Sequence, residues 1–232
     1  MIIKVCGMRA PDNIKAVAKT GIDWMGMIFY EKSPRYVGMR PSDAGITPDY
    51  AMEAADAIPE GIRRVGVFVD AMAQTIIAKT VAYRLDIIQL HGNETPTLLR
   101  NLRLTLMPED GRTRIVGVSQ DLKLMKVISV ESAADLEKCR QYEDCADYLL
   151  FDTKCKERGG SGKQFDWTAV DAYDGALPFI LSGGIGPCDE ERLRAISNDR
   201  LMGIDLNSRF ETSPAIKDAA AIAKFVNNMR QQ

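Results

Sequence analysis

The chain has 232 residues, 46% hydrophobic, 27% charged and 7% aromatic, with a formal net charge of -2. That length suits one large core or two small domains, and the near balance of charge excludes the basic surface that a nucleic-acid partner requires. No window approaches the roughly 20 apolar residues that span a bilayer, and no basic segment leads into a long apolar run at the amino terminus, so a cytoplasmic protein is expected.

The apolar runs "IIKVCGM", "WMGMIF", "RRVGVFV", "DIIQLHG", "TRIVGVS", "DYLLFDT", "PFILSGGI" and "LMGIDLN" read in chain order as eight buried strands. After the first comes "DNIKAVAKTG", where Ile14, Val17 and Ala18 share a helical face and Gly21 can end the helix. After the second, "GMRPSDAGITPDYAMEAADAIPEGI" is punctuated by Pro41, Gly45 and Pro48 and reads as a loop leading into an imperfect helix. After the sixth, "KCKERGGSGKQ" joins a charge run to glycines and reads as a mobile loop. The last segment, "PAIKDAAAIAKFVNNMRQQ", places Pro214 as a helix starter with Ala219, Ile222 and Val226 on one stripe. Strand and helix alternate throughout, and no linker divides them. This suits an α/β fold of the closed (β/α)8 TIM barrel type, one domain over residues 1–232, better than an open doubly wound sheet.

Five cysteines (Cys6, Cys139, Cys145, Cys155, Cys188) are an odd number without a CxxC pair. Neither a disulfide framework nor a structural zinc site is expected.

In such a barrel chemistry sits at the carboxyl ends of the strands. Cys6 closes the first strand. It is either an inert core thiol, as free cysteines commonly are, or a rim thiol whose ionisation Lys4 or Arg9 favours. Strand alternation points Lys4 and Cys6 into the barrel together. Arg35 follows the second strand beside Ser33-Pro34; its planar fork either meets solvent or takes a substrate carboxylate. The fourth strand carries Gln89 and His91, the single histidine, as an imidazole for chemistry or as a hydrogen-bonded rim residue. Asp152 closes the sixth strand, where burial would raise its pKa and make it a general acid; a structural carboxylate capping the next loop is the alternative. In "LSGGIGP", Gly183 and Gly184 form either a bare turn or a phosphate cradle. Asp205 ends the eighth strand, and Ser208 can complete the cradle.

In order along nearly the whole chain, "KVCGMR", "MIFYEKSPRYV", "VGVFVD", "IIQLHGNE", "LLFDTK", "GGSGKQFDW", "LSGGIGP" and "GIDLNSRFETSPAIKD" resemble the signatures of the phosphoribosylanthranilate isomerase family of tryptophan biosynthesis. The resemblance implies an Amadori rearrangement of N-(5-phosphoribosyl)anthranilate to 1-(2-carboxyphenylamino)-1-deoxyribulose 5-phosphate. It implies Cys6 as general base, Asp152 as general acid and Arg35 as holder of the anthranilate carboxylate. Gly183 and Gly184 match the phosphate turn, Asp205 and Ser208 match contacts to substrate hydroxyl and phosphate, and Gln89 with His91 fall in the "QLHG" signature as substrate-binding positions. The "GGSGKQFDW" stretch matches a loop that closes over the substrate. A monomer is implied, with a phosphorylated small molecule as partner, no nucleic acid, no membrane, no cofactor and no metal. The chemistry asks for the same residue types: an acid opens the ribosyl ring to a Schiff base, and a base then removes the neighbouring proton.

The chain departs from the family's usual pattern at Met8-Arg9, where Arg9 adds a cation near the expected base. It departs also at Asn207 and Arg209, which stand for Ser and Gly, and at Ser182, where Ala is common. Two other readings use the same barrel. One is a sugar-phosphate isomerase of the histidine-pathway type; its bis-phosphorylated substrate needs a second cradle that "FVDAMAQT" after the third strand does not offer. The other is a catalytically silent barrel that only binds phosphorylated metabolites or a partner protein, against which Cys6, Asp152 and Arg35 argue.

Overall fold

The computed structural model describes residues 1–38, 51–108, 115–153 and 167–231. Eight parallel strands pair in chain order and close into a barrel: β1 (Ile2–Cys6), β2 (Trp24–Ile28), β3 (Arg63–Phe68), β4 (Ile87–Leu90), β5 (Lys123–Val130), β6 (Tyr148–Thr153), β7 (Phe179–Ser182) and β8 (Leu201–Leu206). Around it run α1 (Pro11–Ala18), α2 (Ala51–Ala57), α3 (Ala73–Ala82), α4 (Pro96–Leu106), α5 (Glu190–Arg194) and α6 (Ala219–Arg230), with 3₁₀ segments at Ala133–Tyr142 and Trp167–Ala172. A short antiparallel hairpin, β9 (Glu211–Ser213) and β10 (Ile216–Lys217), follows β8.

The period-two alternation of strand side chains divides the apolar residues between two cores. Ile3, Val5, Met27, Leu149 and Phe151 face outward onto Ile14 and Val17 of α1, Leu99 and Leu102 of α4, and Ile222 and Phe225 of α6. Trp24, Val65, Ile87, Val127, Leu150 and Ile180 fill the barrel axis. Each such side chain contributes roughly 1.5–3 kcal/mol on burial. Cys6, Ile28 and Val67 form a thin apolar layer of their own inside the barrel.

A repeated device closes the amino ends of the strands. Asp23, Asp86 and Asp147 each stand one residue before an even-numbered strand. Each accepts, at 2.8 Å, a backbone N–H near the start of the preceding strand, from Ile3, Arg64 and Leu124 respectively. Before β8 the same place is held by Arg200, whose backbone oxygen takes the Phe179 N–H. These aspartates remove unpaired donors from the end opposite the chemistry.

Two elements correct the sequence reading. "TRIVGVS" is not the fifth strand: its described part, Ile115 to Ser119, is irregular, with Val116 91% exposed and Gly117 at φ +92. The strand is "KLMKVISV", concealed by lysines; Lys126 is nevertheless buried, because a carboxylate waits for it. Pro214 does not start the last helix but lies in the β9–β10 turn. The helix starts at Ala219, capped by Asp218, which accepts the Ala221 N–H at 2.9 Å. The 39–50 part of the loop after β2, the "KCKERGGSGKQ" stretch and all but Trp167 of "GGSGKQFDW" lie outside the described residues.

Candidate active site

β1 delivers Lys4 and Cys6 into the barrel. Lys4 has no exposed side-chain surface, and its Nζ lies 2.9 Å from Asp205 Oδ1 of β8, the strand paired with β1. Cys6, 3% exposed, is opposite Gly26 of β2. A Cβ on Gly26 would stand 2.8 Å from Cys6 Sγ, so the thiol has its position because residue 26 lacks a side chain. Gly26→Ala is therefore expected to displace the sulfur and lower kcat on the order of a hundredfold, with the circular dichroism spectrum unchanged. Wild-type kcat in that variant would contradict the placement.

Burial pushes the Cys6 thiol up, while the Lys4 and Lys217 ammonium groups pull it down. Burial likewise raises the Asp205 carboxyl against the pull of Lys4. For Lys4 itself burial works toward discharge, but Asp205 and Cys6 outweigh it and hold the ammonium protonated. The cations acting on Cys6 thus include Lys4, Lys217 and Arg35. Gly7, at φ +78, turns the chain after β1, whereas Lys4 shares the inward face with the thiol.

Arg35 reaches the same place from the loop after β2. Its stem crosses Gly7, where a Cβ would lie 2.7 Å from Arg35 Cδ. Its Nε and Nη2 donate to Glu211 Oε1 and Oε2 at 2.8 and 2.6 Å. Lys217 Nζ donates to Glu211 Oε1 at 2.6 Å and to Asn207 Oδ1 at 2.8 Å. Lys217 is held by paired hydrogen bonds between its backbone and the Asn13 side chain of α1, both 2.8 Å. Burial would raise Glu211, but the hydrogen bonds from Arg35 and Lys217 hold it below the usual carboxylate range. Arg35's side fork is therefore already filled. What remains for a ligand carboxylate is its end, Nη1 with the second hydrogen of Nη2. Glu211→Gln should release the fork and raise KM about tenfold with a smaller change in kcat; an unchanged KM would show that Glu211 does not aim Arg35.

Glu211 and Lys217 escaped the sequence reading. The signal available was an isolated lysine in the apolar "PAIKD". Around Cys6 three cations (Lys4, Arg35, Lys217) meet two carboxylates (Asp205, Glu211), an excess of one positive charge that a Cys6 thiolate would neutralise.

Asp152 stands on β6, three strands round the ring from β1. Its Oδ2 is 3.4 Å from His91 Nε2, with side-chain exposures of 18% and 35%. His91 also acts electrostatically on Asp205, which links the two sides of the mouth. Gln89, on the inward face of β4, is 1% exposed, and its Oε1 has no hydrogen-bond partner among the described residues. The loop beyond His91 is tied down by Glu94, which accepts the Asp70 and Gly92 N–H groups and pairs at 3.1 Å with Lys126. After β7, Gly183 and Gly184 adopt φ +107 and +73, and a Cβ on Gly184 would meet nothing within 4 Å. Ser208 is exposed at the start of the turn after β8.

A closed parallel barrel whose ionisable groups gather at the carboxyl ends of its strands belongs among the (β/α)8-barrel enzymes. The sequence model of the N-(5′-phosphoribosyl)anthranilate (PRA) isomerase family matches residues 3–228, and the chain belongs to that family. It is 42% identical over 232 residues to the N-(5′-phosphoribosyl)anthranilate isomerase of Phocaeicola vulgatus, covering 100% of this chain and 99% of that one. It is 41% identical over 229 residues to that of Parabacteroides distasonis, covering 99% and 93%. Among solved structures, the Thermotoga maritima phosphoribosyl anthranilate isomerase superimposes with a TM-score of 0.77 at 29% identity over the whole of both chains. A second phosphoribosyl anthranilate isomerase, in complex with reduced 1-(o-carboxyphenylamino)-1-deoxyribulose 5-phosphate, gives 0.74 at 25% identity, again over both whole chains.

Proposed function

We propose that this member of the PRA isomerase family performs the family's isomerisation with Asp152 as general acid and Cys6 as general base. The observation that carries the reading is a buried Cys6 on which the buried ammonium groups of Lys4 and Lys217 both act, with the His91–Asp152 pair on strands round the same ring. Asp152 gives its proton to the ribosyl ring oxygen as the C1′–O bond breaks, and the anilino nitrogen's electron pair forms the C=N bond of a Schiff base. Cys6 takes the C2′ proton, and the C2′–H electrons neutralise the iminium nitrogen as an enamine, which tautomerises to the ketose. No electrons leave the substrate, and its own nitrogen is the electron sink.

The remaining residues position the substrate. The free end of the Arg35 fork takes the anthranilate carboxylate, with Glu211 and Lys217 holding it from behind. Gly183, Gly184 and Ser208 cradle the phosphate, Asp205 takes a ribosyl hydroxyl, and the unpartnered Oε1 of Gln89 accepts another. His91 orients the Asp152 carboxyl. The chain acts as a cytoplasmic monomer in this reading; light scattering of the purified protein measures its mass directly.

The test is turnover. The chain should restore tryptophan-independent growth to cells that lack the isomerase, and the purified protein should convert N-(5′-phosphoribosyl)anthranilate to the ketose while leaving the bis-phosphorylated histidine-pathway substrate untouched. Tight binding of substrate in calorimetry with no product formed would favour the silent barrel instead.

A further inference from the structure

We infer that Arg209 is a specificity-determining arm that closes the phosphate end of the site from the β8 side, and that Gly186 is glycine to admit it. The inference rests on the reading above, that a phosphorylated substrate seats at Gly183 and Gly184. Arg209 is exposed and makes no hydrogen bond or ion pair with any described residue, although its neighbours on the rim are extensively paired. A guanidinium carries five donors, and one left open at a ligand site is free to meet an anion.

Its location says which anion. The side chain leaves the turn after β8 and lies against Gly186, where a Cβ would stand 2.7 Å from Nε, 3.1 Å from Cζ and 3.3 Å from Nη2. Gly186 is two residues beyond Gly184, where an added Cβ would meet nothing within 4 Å, so the guanidinium lies against the same β7–α5 segment that presents this open space. Asp189, the carboxylate nearest to Gly186 in sequence, does not neutralise it: its Oδ2 accepts the Gly186 N–H and its Oδ1 is taken by Arg192. Two glycines with left-handed backbones, an open space and an unpaired guanidinium suit a phosphate monoester, and the cation favours its dianion over a neutral or uncharged analogue.

Five proteins test this: wild type, Arg209→Ala, Arg209→Lys, Gly186→Ala and the double variant of Arg209→Ala with Gly186→Ala. Arg209→Ala should raise both KM and the inhibition constant of inorganic phosphate about ten- to a hundredfold, with kcat falling by much less. Arg209→Lys should recover part of the loss, since a point charge replaces the planar fork. Gly186→Ala should resemble Arg209→Ala, because the added methyl takes the space of Nε, and the Gly186→Ala change should have little further effect in the double variant. The added salt dependence of KM should also flatten without Arg209. Unchanged inhibition by inorganic phosphate in Arg209→Ala overturns the inference while leaving the isomerase reading standing. Absence of turnover in wild type overturns that reading, and phosphate affinity measured by calorimetry in the same five proteins still decides the role of Arg209.

Discussion

Replacing Cys6 by Ala, or Asp152 by Asn, lowers kcat by about a hundred- to ten-thousandfold, the range that a positioned acid or base supplies. The two changes are unequal as structural perturbations. Cys6→Ala removes one sulfur from a thin layer of Ile28 and Val67 and leaves the Lys4–Asp205 pair in place, so the fold should lose about 1 kcal/mol. Asp152→Asn keeps the shape and the approach to His91 but has no acidic proton to give. Cys6→Ser is the sharper control, because it preserves size and hydrogen bonding while raising the pKa beyond use. Full activity in Cys6→Ala would remove the thiol from the mechanism.

The same variant has a pH signature whose sign is fixed by burial. Cys6 is raised above its ordinary value by burial, despite Lys4, so the native chain keeps a proton that the unfolded chain releases above about pH 8.5. That contribution to stability is whole below this pH and is lost as pH rises toward the folded value. Cys6→Ala should therefore flatten the alkaline decline in melting temperature. It will not abolish it, because Cys139, pushed to about 12 by burial, and Cys145 decline in the same direction. Turnover runs the other way: the thiolate fraction grows with pH, so wild-type kcat/KM should climb from neutral into the alkaline range. A wild-type profile without that rise would mean that the thiol does not titrate as the base.

Cys6, Asp152 and Asp205 were legible in the sequence because two local rules converge on them: a buried strand is an apolar run, and barrel chemistry lies where the run ends. The same strand-end rule reaches Arg35, Gln89, His91, Gly183 and Gly184, and the eight ordered signatures imply a role for each. What stayed hidden depends on pairing between distant segments. Lys126 made "KLMKVISV" look too polar for a central strand, and only Glu94, 32 residues earlier, makes its burial tolerable. Glu211 and Lys217 look like hairpin polar residues until the fold brings Arg35, 176 residues away from Glu211, onto the same carboxylate. Gly26 reads as one more small residue in a strand until the register sets it opposite Cys6. The opposite error at "TRIVGVS" has the same cause: β-branched residues mimic a strand, and nothing local reports that Val116 has no layer to pack against.

Lys126→Met should destabilise the fold by about 3–5 kcal/mol, the cost of leaving a buried carboxylate without its cation, and lower the melting temperature by about 6–20 °C. Both side chains are nearly without exposure, 3% for Lys126 and 1% for Glu94. The ammonium also donates to the backbone oxygens of Leu90 and Gly92, so its loss opens three polar groups at once. Burial lowers Lys126 against the attraction of Glu94, which marks the pair as costly to desolvate and costlier still to break. Lys126→Met with Glu94→Gln should therefore be less damaging than the sum of the two single changes. Lys138→Met supplies the contrast: its partner Asp135 is the nearer to solvent of the two acids and Lys138 itself is 61% exposed, so the melt should move by no more than about 2 °C. The pair also has a functional consequence, because the segment it pins begins at His91. With the loop loosened, His91 no longer fixes Asp152, and kcat measured well below the melting temperature should fall while inorganic-phosphate inhibition, set on the far side of the mouth, stays as it was. A Lys126→Met protein that melts within about 2 °C of wild type would show that the pair does not hold the rim.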